Sequence, residues 1–243
     1  MLKGDKMKYT NRHIKPNVLI TDFDRTLTYL YKDTTLLQEL ANKIVTFYGR
    51  SFDIQESYLD NVKDGYLVWH RLHDVVIKEL PQNVAMKINE QAENLVTDFE
   101  LQVIKKVGLF FDIPKAVRNL RSSGIRLGVV SSNATSVVKF ALEEADILNE
   151  FEYVDGRPYP FNPELIKPNP FPINKALANL KVDLGLVWYV GDDIVDMIAA
   201  TAANVTAIAV CTGRHSEYDL IKSGADLVFQ SFINIPEYFK DKL

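Results

Sequence analysis

Near its start the chain carries an unbroken apolar run, Val18-Leu19-Ile20, that stops abruptly in Thr21-Asp22-Phe23-Asp24. A short stretch that is apolar at every position and bounded by polar residues predicts a parallel strand buried on both faces. The period then changes. Leu36, Leu37, Leu40, Ile44 and Phe47 recur at helical spacing, with Thr35-x-x-Gln38 as a capping box ahead of them and Gly49 as the stop. Asp53-x-x-Glu56 opens a second helix, residues 66–80 form a third that Pro81 ends, and residues 83–107 form a fourth. In that last helix Val84, Ile88, Leu95, Phe99 and Val103 are expected to face inward. No strand pattern interrupts residues 33–107, which therefore read as one all-helical insert.

From Gly108 onward strands and helices alternate. A helix over 114–123 has Asp112 near its start and Gly124 at its end. The strand 125–130 runs into Ser131-Ser132-Asn133, and a helix over 134–144 follows. Residues 151–171 are rich in proline and aromatic residues and read as mostly loop, carrying Ile166-Lys167-Pro168-Asn169-Pro170. Pro172 opens the next helix, and the strand 186–190 ends in Gly191-Asp192-Asp193-Ile194-Val195-Asp196. A strand over 206–210, a helix closed by Gly224, a short strand at 227–229 and a terminal helix complete the pattern. Such alternation predicts an α/β fold, a Rossmann-like, doubly wound parallel sheet with helices on both faces. The expected organisation is a loose leader over 1–16 with a second start at Met7, an α/β core from 17–32 and 108–243, and a helical domain over 33–107.

Composition narrows the partners. At 243 residues, 47% hydrophobic, with a net charge of −4, the chain can bury a full core and has no basic footprint for nucleic acid or anionic membranes. No apolar run is long enough for a bilayer span. The single cysteine, Cys211, excludes an internal disulfide framework and suits a reducing cytoplasm. It follows an apolar strand and reads as a packed small residue.

Four places carry candidate chemistry. Asp22 and Asp24 share a strand parity at a carboxyl end, where open α/β sheets bind their ligands. Two carboxylates so close call for a cation between them or a proton on one. Taken alone, they also read as loop acids capping a helix. Ser131, with the amides of Ser132 and Asn133, precedes a helix and can cradle an anion, although the same residue types are ordinary caps. Lys167 sits in a stiff setting of prolines and aromatics, where a lysine by itself would be a solvated charge. Asp192, Asp193 and Asp196 occupy a first helical turn, where acids also favour the dipole. Their crowding directly after an apolar strand again calls for a cation. Trp69, His70, Arg71 and His73 cluster on one helix and read as a solvated face, with substrate contact as the other reading. His70 and His73 lack a third metal ligand. Arg50, Arg214 and His215 are further candidate contacts.

Taken in order, the four places resemble the motifs of the haloacid dehalogenase superfamily of phosphohydrolases, over about residues 18–239. Thr212-Gly213 and Gly224-Ala225-Asp226 look like its phosphoglycolate-phosphatase-like branch. The resemblance implies that the helical insert is the family's helical cap over the site. It implies Asp22 as nucleophile and metal ligand and Asp24 as general acid and base, whose backbone carbonyl completes a Mg²⁺ site with Asp192. Thr26 would steady the turn, Ser131, Ser132, Asn133 and Lys167 would bind phosphate, and Asp193 and Asp196 would support the metal from behind. The acid at Asp24 points away from dehalogenases, whose halide leaves without a proton. The implied enzyme is a cytoplasmic, Mg²⁺-dependent phosphatase acting on a small phosphorylated metabolite through an aspartyl-phosphate, as a monomer or homodimer. A β-phosphoglucomutase-like transfer is the alternative, since sequence does not say whether water or a sugar hydroxyl attacks the phosphoenzyme. A receiver-like phospho-acceptor places its acid pair before the nucleophile, and a non-catalytic relative would have lost a required residue.

Overall fold

The computed structural model describes residues 15–54, 63–182 and 186–240. The leader before Lys15, and the helix expected from Asp53-x-x-Glu56 beyond Ile54, lie outside the described residues. The chain divides into two compact units. One comprises the described residues up to Tyr29, Val107–Arg157 and Glu164 onward; the other comprises Leu30–Lys106 and Pro158–Pro163.

The first unit is built on β1 (Val18–Thr21), β2 (Arg126–Val130), β3 (Phe151–Asp155), β4 (Val187–Gly191), β5 (Thr206–Val210) and β6 (Leu227–Phe229). These form one sheet in the order β3-β2-β1-β4-β5-β6. Every pairing is parallel, with Thr21 opposite Val129 on one side and Val190 on the other. The chain winds outward from β1 to β3, then crosses back to β4. The topological switch point therefore lies between β1 and β4, where an open α/β sheet places its ligand.

Both faces of β1 and β4 are covered, which is why these strands read as continuous apolar runs. Val18, Ile20, Val187 and Tyr189 pack with Ile173 and Leu177 of α6 (Phe171–Leu180) and Met197 and Ala200 of α7 (Ile194–Ala202). On the opposite face Trp188 lies 5.1 Å, ring to ring, from Phe239 of α9 (Ile235–Lys240). Burying each such aliphatic or aromatic side chain contributes roughly 1.5–3 kcal/mol. The remaining helices of this unit are α4 (Ile113–Ser122), α5 (Thr135–Glu144) and α8 (Glu217–Lys222).

β3 was expected as loop and is a strand. It forms the sheet edge, where only Phe151 is buried, and its pairing with β2 shifts register between Leu127 and Gly128. Glu152 on this edge accepts from Arg121 at 3.0 Å and from Arg126 at 2.7 Å. Charged edges of this kind protect a strand from further pairing and also erase its apolar signature.

The second unit holds α1 (Thr34–Gly49), α2 (Gly65–Glu79) and α3 (Gln82–Val107). The expected Thr35-x-x-Gln38 box does not form. Asp33 caps α1 instead, its carboxylate accepting from the Thr35 amide at 2.9 Å, and Gln38 donates to Asn42. Val84 is exposed and Leu95 half-buried, while Asn89, Glu93 and Glu100 occupy the inner stripe of α3. Each has a partner there. Tyr48 donates to Asn89 at 2.9 Å, the Phe161 amide to Glu93 at 2.8 Å, and Tyr66 to Glu100 at 2.6 Å. Ile88, Phe99 and Val103 are buried as expected, and the partnered polar side chains complete a stripe that apolar periodicity alone does not show.

Only part of the Trp69–His73 cluster is a solvated face, since Arg71 is exposed and His70 half-buried. Trp69 and His73 are buried, and Phe161 stacks on Trp69 at 4.1 Å and meets His73 edge-on at 5.2 Å. This aromatic anchor explains why Pro158–Pro163 belongs with the helices, although the sequence places it among the α/β residues. No helix among the described residues is long and apolar enough to cross a membrane.

Candidate active site

β1 ends at Thr21, and the Asp22 amide still donates to Val190 of β4 at 2.8 Å. That bond holds Asp22 at the switch point. The chain then folds into a tight turn in which the amides of Thr26, Leu27 and Thr28 all converge on the Phe23 carbonyl. The strand parity shared by Asp22 and Asp24 stops with the strand. Asp22 is buried, whereas Asp24 is partly exposed and faces the Arg25 guanidinium at 3.8 Å. The Thr28 hydroxyl donates to the Gly108 carbonyl, and the Phe110 amide to Leu27, so the chain leaves and re-enters the α/β unit side by side.

Lys167 lies at the centre of the site. Its Nζ donates to Asp22 Oδ1 at 2.5 Å and to Asp196 Oδ1 at 2.7 Å, and all three side chains are almost fully buried. Asp196 has every direction occupied. Oδ1 also accepts from the Tyr189 hydroxyl at 3.0 Å, and Oδ2 accepts from the amides of Asp192 and Asp193, both at 3.1 Å. With Asp193 as N-cap, this closes a capping box on α7. Asp196 is therefore the fixed post to which the lysine is tied, and it turns the Asp192 backbone into place.

Asp192 is the reverse case. Its Oδ2 is buried without a hydrogen-bond partner among the described residues, and Thr26 reaches only Oδ1, at 3.5 Å. One oxygen from each of Asp22, Asp192 and Asp196 lies within 4.8 Å of the others. Burial and the neighbouring carboxylates of Asp196 and Asp22 push the Asp192 carboxyl well above its ordinary value. Burial likewise pushes Asp22 up to about 7, against the pull of the Lys167 ammonium. Burial works against the charge on Lys167, but Asp196 and Asp22 outweigh it and keep the amine firmly protonated. An orphaned carboxylate oxygen facing a second carboxylate, all hard oxygen donors, fits a divalent cation such as Mg²⁺.

Ser131, Ser132 and Asn133 stand at the end of β2, beside β1. They are not the caps of α5, whose N-cap is Ala134 with no side-chain bond. The Ser131 hydroxyl instead accepts from the Asn133 amide at 3.1 Å, and the Asn133 carbonyl accepts from the Arg157 amide at 2.9 Å. Ser131 and Asn133 are buried and Ser132 exposed. Asp193 pairs with His215 at 3.3 Å, which ties one of the loop candidates to the site, whereas Arg50 is the exposed C-cap of α1. Burial pushes the Cys211 thiol up, which disfavours it as a nucleophile.

Sequence reasoning missed three participants. Tyr189 lies in an apolar strand, and a buried phenol demands a partner, which was the available signal. Arg25 gave none, and Gly213 appeared only in the Thr212-Gly213 resemblance, with no role attached. A Cβ on Gly213 would stand 2.0 Å from Asp192 Oδ2. Gly213→Ala is therefore expected to displace the Asp192 carboxylate, costing about 1–3 kcal/mol in denaturant unfolding and weakening Mg²⁺ binding measured by calorimetry. An alanine variant with wild-type cation affinity would show that Asp192 need not hold this position.

A six-stranded parallel sheet with an acid–lysine centre at its switch point defines a doubly wound α/β protein with a catalytic type of site. Residues 19–210 match the family model described as haloacid dehalogenase-like hydrolase. The chain belongs to that family. A phosphoglycolate phosphatase from Nitrosococcus oceani is 30% identical over 132 residues, 54% of this chain and 57% of that protein. The chain spans about half the length of the curated relatives it matches. Two solved structures share the fold. A predicted phosphoglycolate phosphatase from Haemophilus somnus gives a TM-score of 0.62 at 20% identity, covering 92% of this chain and 98% of that one. A predicted phosphatase from Clostridium acetobutylicum gives 0.65 at 21% identity, covering 93% and 99%.

Proposed function

We propose that the protein is a Mg²⁺-dependent phosphatase that hydrolyses a small phosphorylated metabolite through an aspartyl-phosphate on Asp22. The observation that carries this reading is the Asp22 carboxylate itself: buried at the switch point, 2.5 Å from Lys167, with an oxygen within 4.8 Å of one from Asp192, whose Oδ2 has no partner among the described residues. Such a group is costly as scaffold and well placed as a nucleophile. The relatives named phosphoglycolate phosphatase support a small phosphomonoester as substrate.

Asp22 and Asp192, with the Asp24 backbone carbonyl, would hold the cation. When bound, it supplies the positive charge that lets a carboxylate approach an anionic phosphoryl group. An Asp22 oxygen attacks phosphorus as the ester P–O bond breaks, and Asp24 gives its proton to the departing alkoxide. Asp24 then takes a proton from water as that water attacks phosphorus, releasing phosphate and restoring Asp22. Lys167 balances charge on Asp22 and on the phosphoryl oxygens throughout. Ser131 and the amides beside it hold those oxygens. The helical unit acts as the cap, and Asp193 and Thr26 support the metal ligands from behind.

Hydrolysis of p-nitrophenyl phosphate tests this reading directly. It is expected to require Mg²⁺ and to stop on chelation; chelator-resistant turnover would contradict it. Asp24→Asn is expected to slow turnover about 10²–10⁴-fold and to accumulate phosphoenzyme, because the leaving oxygen and the water both lose their proton partner. Wild-type turnover in that variant would remove Asp24 from the acid–base role.

Asp22 also sets a pH signature. Its folded value of about 7 lies above its ordinary 3.8. Without a cation, its contribution to stability is complete below about pH 4 and is lost as pH rises through about 7. Asp192 shifts in the same direction. Cation binding needs both groups deprotonated. The rise in Tm caused by Mg²⁺ should therefore be small near pH 5.5 and grow toward pH 8. Equal shifts at both pH values would count against these ligands.

A further inference from the structure

Arg25 is held in an unusual way. Its backbone sits at φ +57°, a left-handed conformation that glycine adopts without strain and arginine does not favour. The turn around Phe23 and a hydrogen bond from the Thr212 hydroxyl to the Arg25 carbonyl fix it there. The result is that the side chain lies in the protein, 13% exposed, and not in solvent. The Asp24 carboxylate is 3.8 Å away, the Tyr29 ring lies 6.0 Å from the guanidinium carbon, and Nε is buried with no hydrogen-bond partner among the described residues. A structural arginine–carboxylate pair is short and often bidentate. This one is neither. What the guanidinium does have is a field: burial opposes its charge, Asp24, Asp192, Tyr29 and Asp193 more than offset that, and it in turn pulls the Asp192 carboxyl down.

We propose that Arg25 sets the charge balance of the cation site, weakening the hold of the acid cluster on a divalent cation while strengthening its attraction for a phosphate anion. The inference depends on the phosphatase reading above, because it assumes that Asp22 and Asp192 bind the ion. A permanent positive charge close to the ligands opposes a dication and favours an anion, so its removal must shift the two affinities in opposite directions. A merely architectural arginine would behave otherwise, since its loss would disorder the site and weaken both.

The test is calorimetric, with Mg²⁺ alone as one titrant and inorganic phosphate, in saturating Mg²⁺, as the other. Arg25→Gln removes the charge, Arg25→Lys keeps it, and Arg25→Gly removes it while relieving the backbone. Gln and Gly variants should bind Mg²⁺ on the order of three- to tenfold more tightly and phosphate more weakly by a similar factor. The lysine variant should stay close to wild type for both. Affinities that fall together, or stay unchanged, in Arg25→Gly would overturn the proposal. Wild-type protein that binds no Mg²⁺ would overturn the phosphatase reading as well, so the two failures are distinguishable.

Discussion

Asp22→Asn is expected to lower phosphatase turnover by about a thousandfold or more while leaving the fold intact. The amide cannot attack phosphorus, and no neighbour can take its place. Asp196 is fully engaged by Lys167, Tyr189 and two backbone amides, and Asp192 makes no contact with the lysine that activates Asp22 among the hydrogen bonds of the described residues. Stability should not follow activity. Burial of the Asp22 charge is what pushes its carboxyl up to about 7, so a neutral side chain of the same shape removes a penalty. Lys167 keeps Asp196 at 2.7 Å. Denaturant unfolding without added Mg²⁺ should place the variant within about 1 kcal/mol of wild type. An inactive variant that is also grossly unstable would leave the loss of activity without chemical meaning, and a stable variant that retains turnover would remove Asp22 as the nucleophile.

Lys167→Met should lose both activity and stability. The lysine is the counter-ion of two buried carboxylates at once, and methionine fills its volume without its charge. Removing one member of a buried ion cluster leaves uncompensated charge, which typically costs about 3–5 kcal/mol. The cost should be largest at high pH, where Asp22 must ionise, and should shrink as pH falls below about 7 and Asp22 takes up its proton. Activity should fall about 10²–10³-fold, because the charge that offsets the phosphoryl oxygens is gone and Asp22 is pushed further toward its protonated form. The contrast with Asp22→Asn is the useful part. One substitution deletes a buried charge and the other strands two, so a pH-dependent loss of stability is expected only for lysine.

How much of this was readable from residues alone varies with the physics of each feature. The central strands were legible because burial on both faces leaves no charged residue in β1 or β4 to blur the pattern. The edge strand β3 was not, since an edge tolerates Glu152 and partial burial and needs no apolar run. In the helical unit, Asn89, Glu93 and Glu100 look like outward positions until their partners are seen, and those partners come from distant stretches of chain. The site divides in the same way. Asp22, Lys167, Asp192 and Asp196 announce themselves by crowding or by a stiff setting, and their Lys167-centred bonding follows from the fold. Arg25 does not announce itself. Its role depends on a left-handed backbone that no residue type near it predicts, and on a side chain turned inward by a turn three residues long. Gly213 shows in the sequence only as part of Thr212-Gly213, without its role, because its importance is the absence of a Cβ beside Asp192.

The central claim is that the phosphoryl group passes through Asp22. Acid quenching of the enzyme during turnover of a phosphomonoester with Mg²⁺, followed by peptide mass spectrometry, tests it most directly. One phosphoryl group is expected on the peptide carrying Asp22, at higher occupancy in Asp24→Asn. Turnover with no phosphorylated peptide in either protein, or with the group on any other residue, would contradict the account.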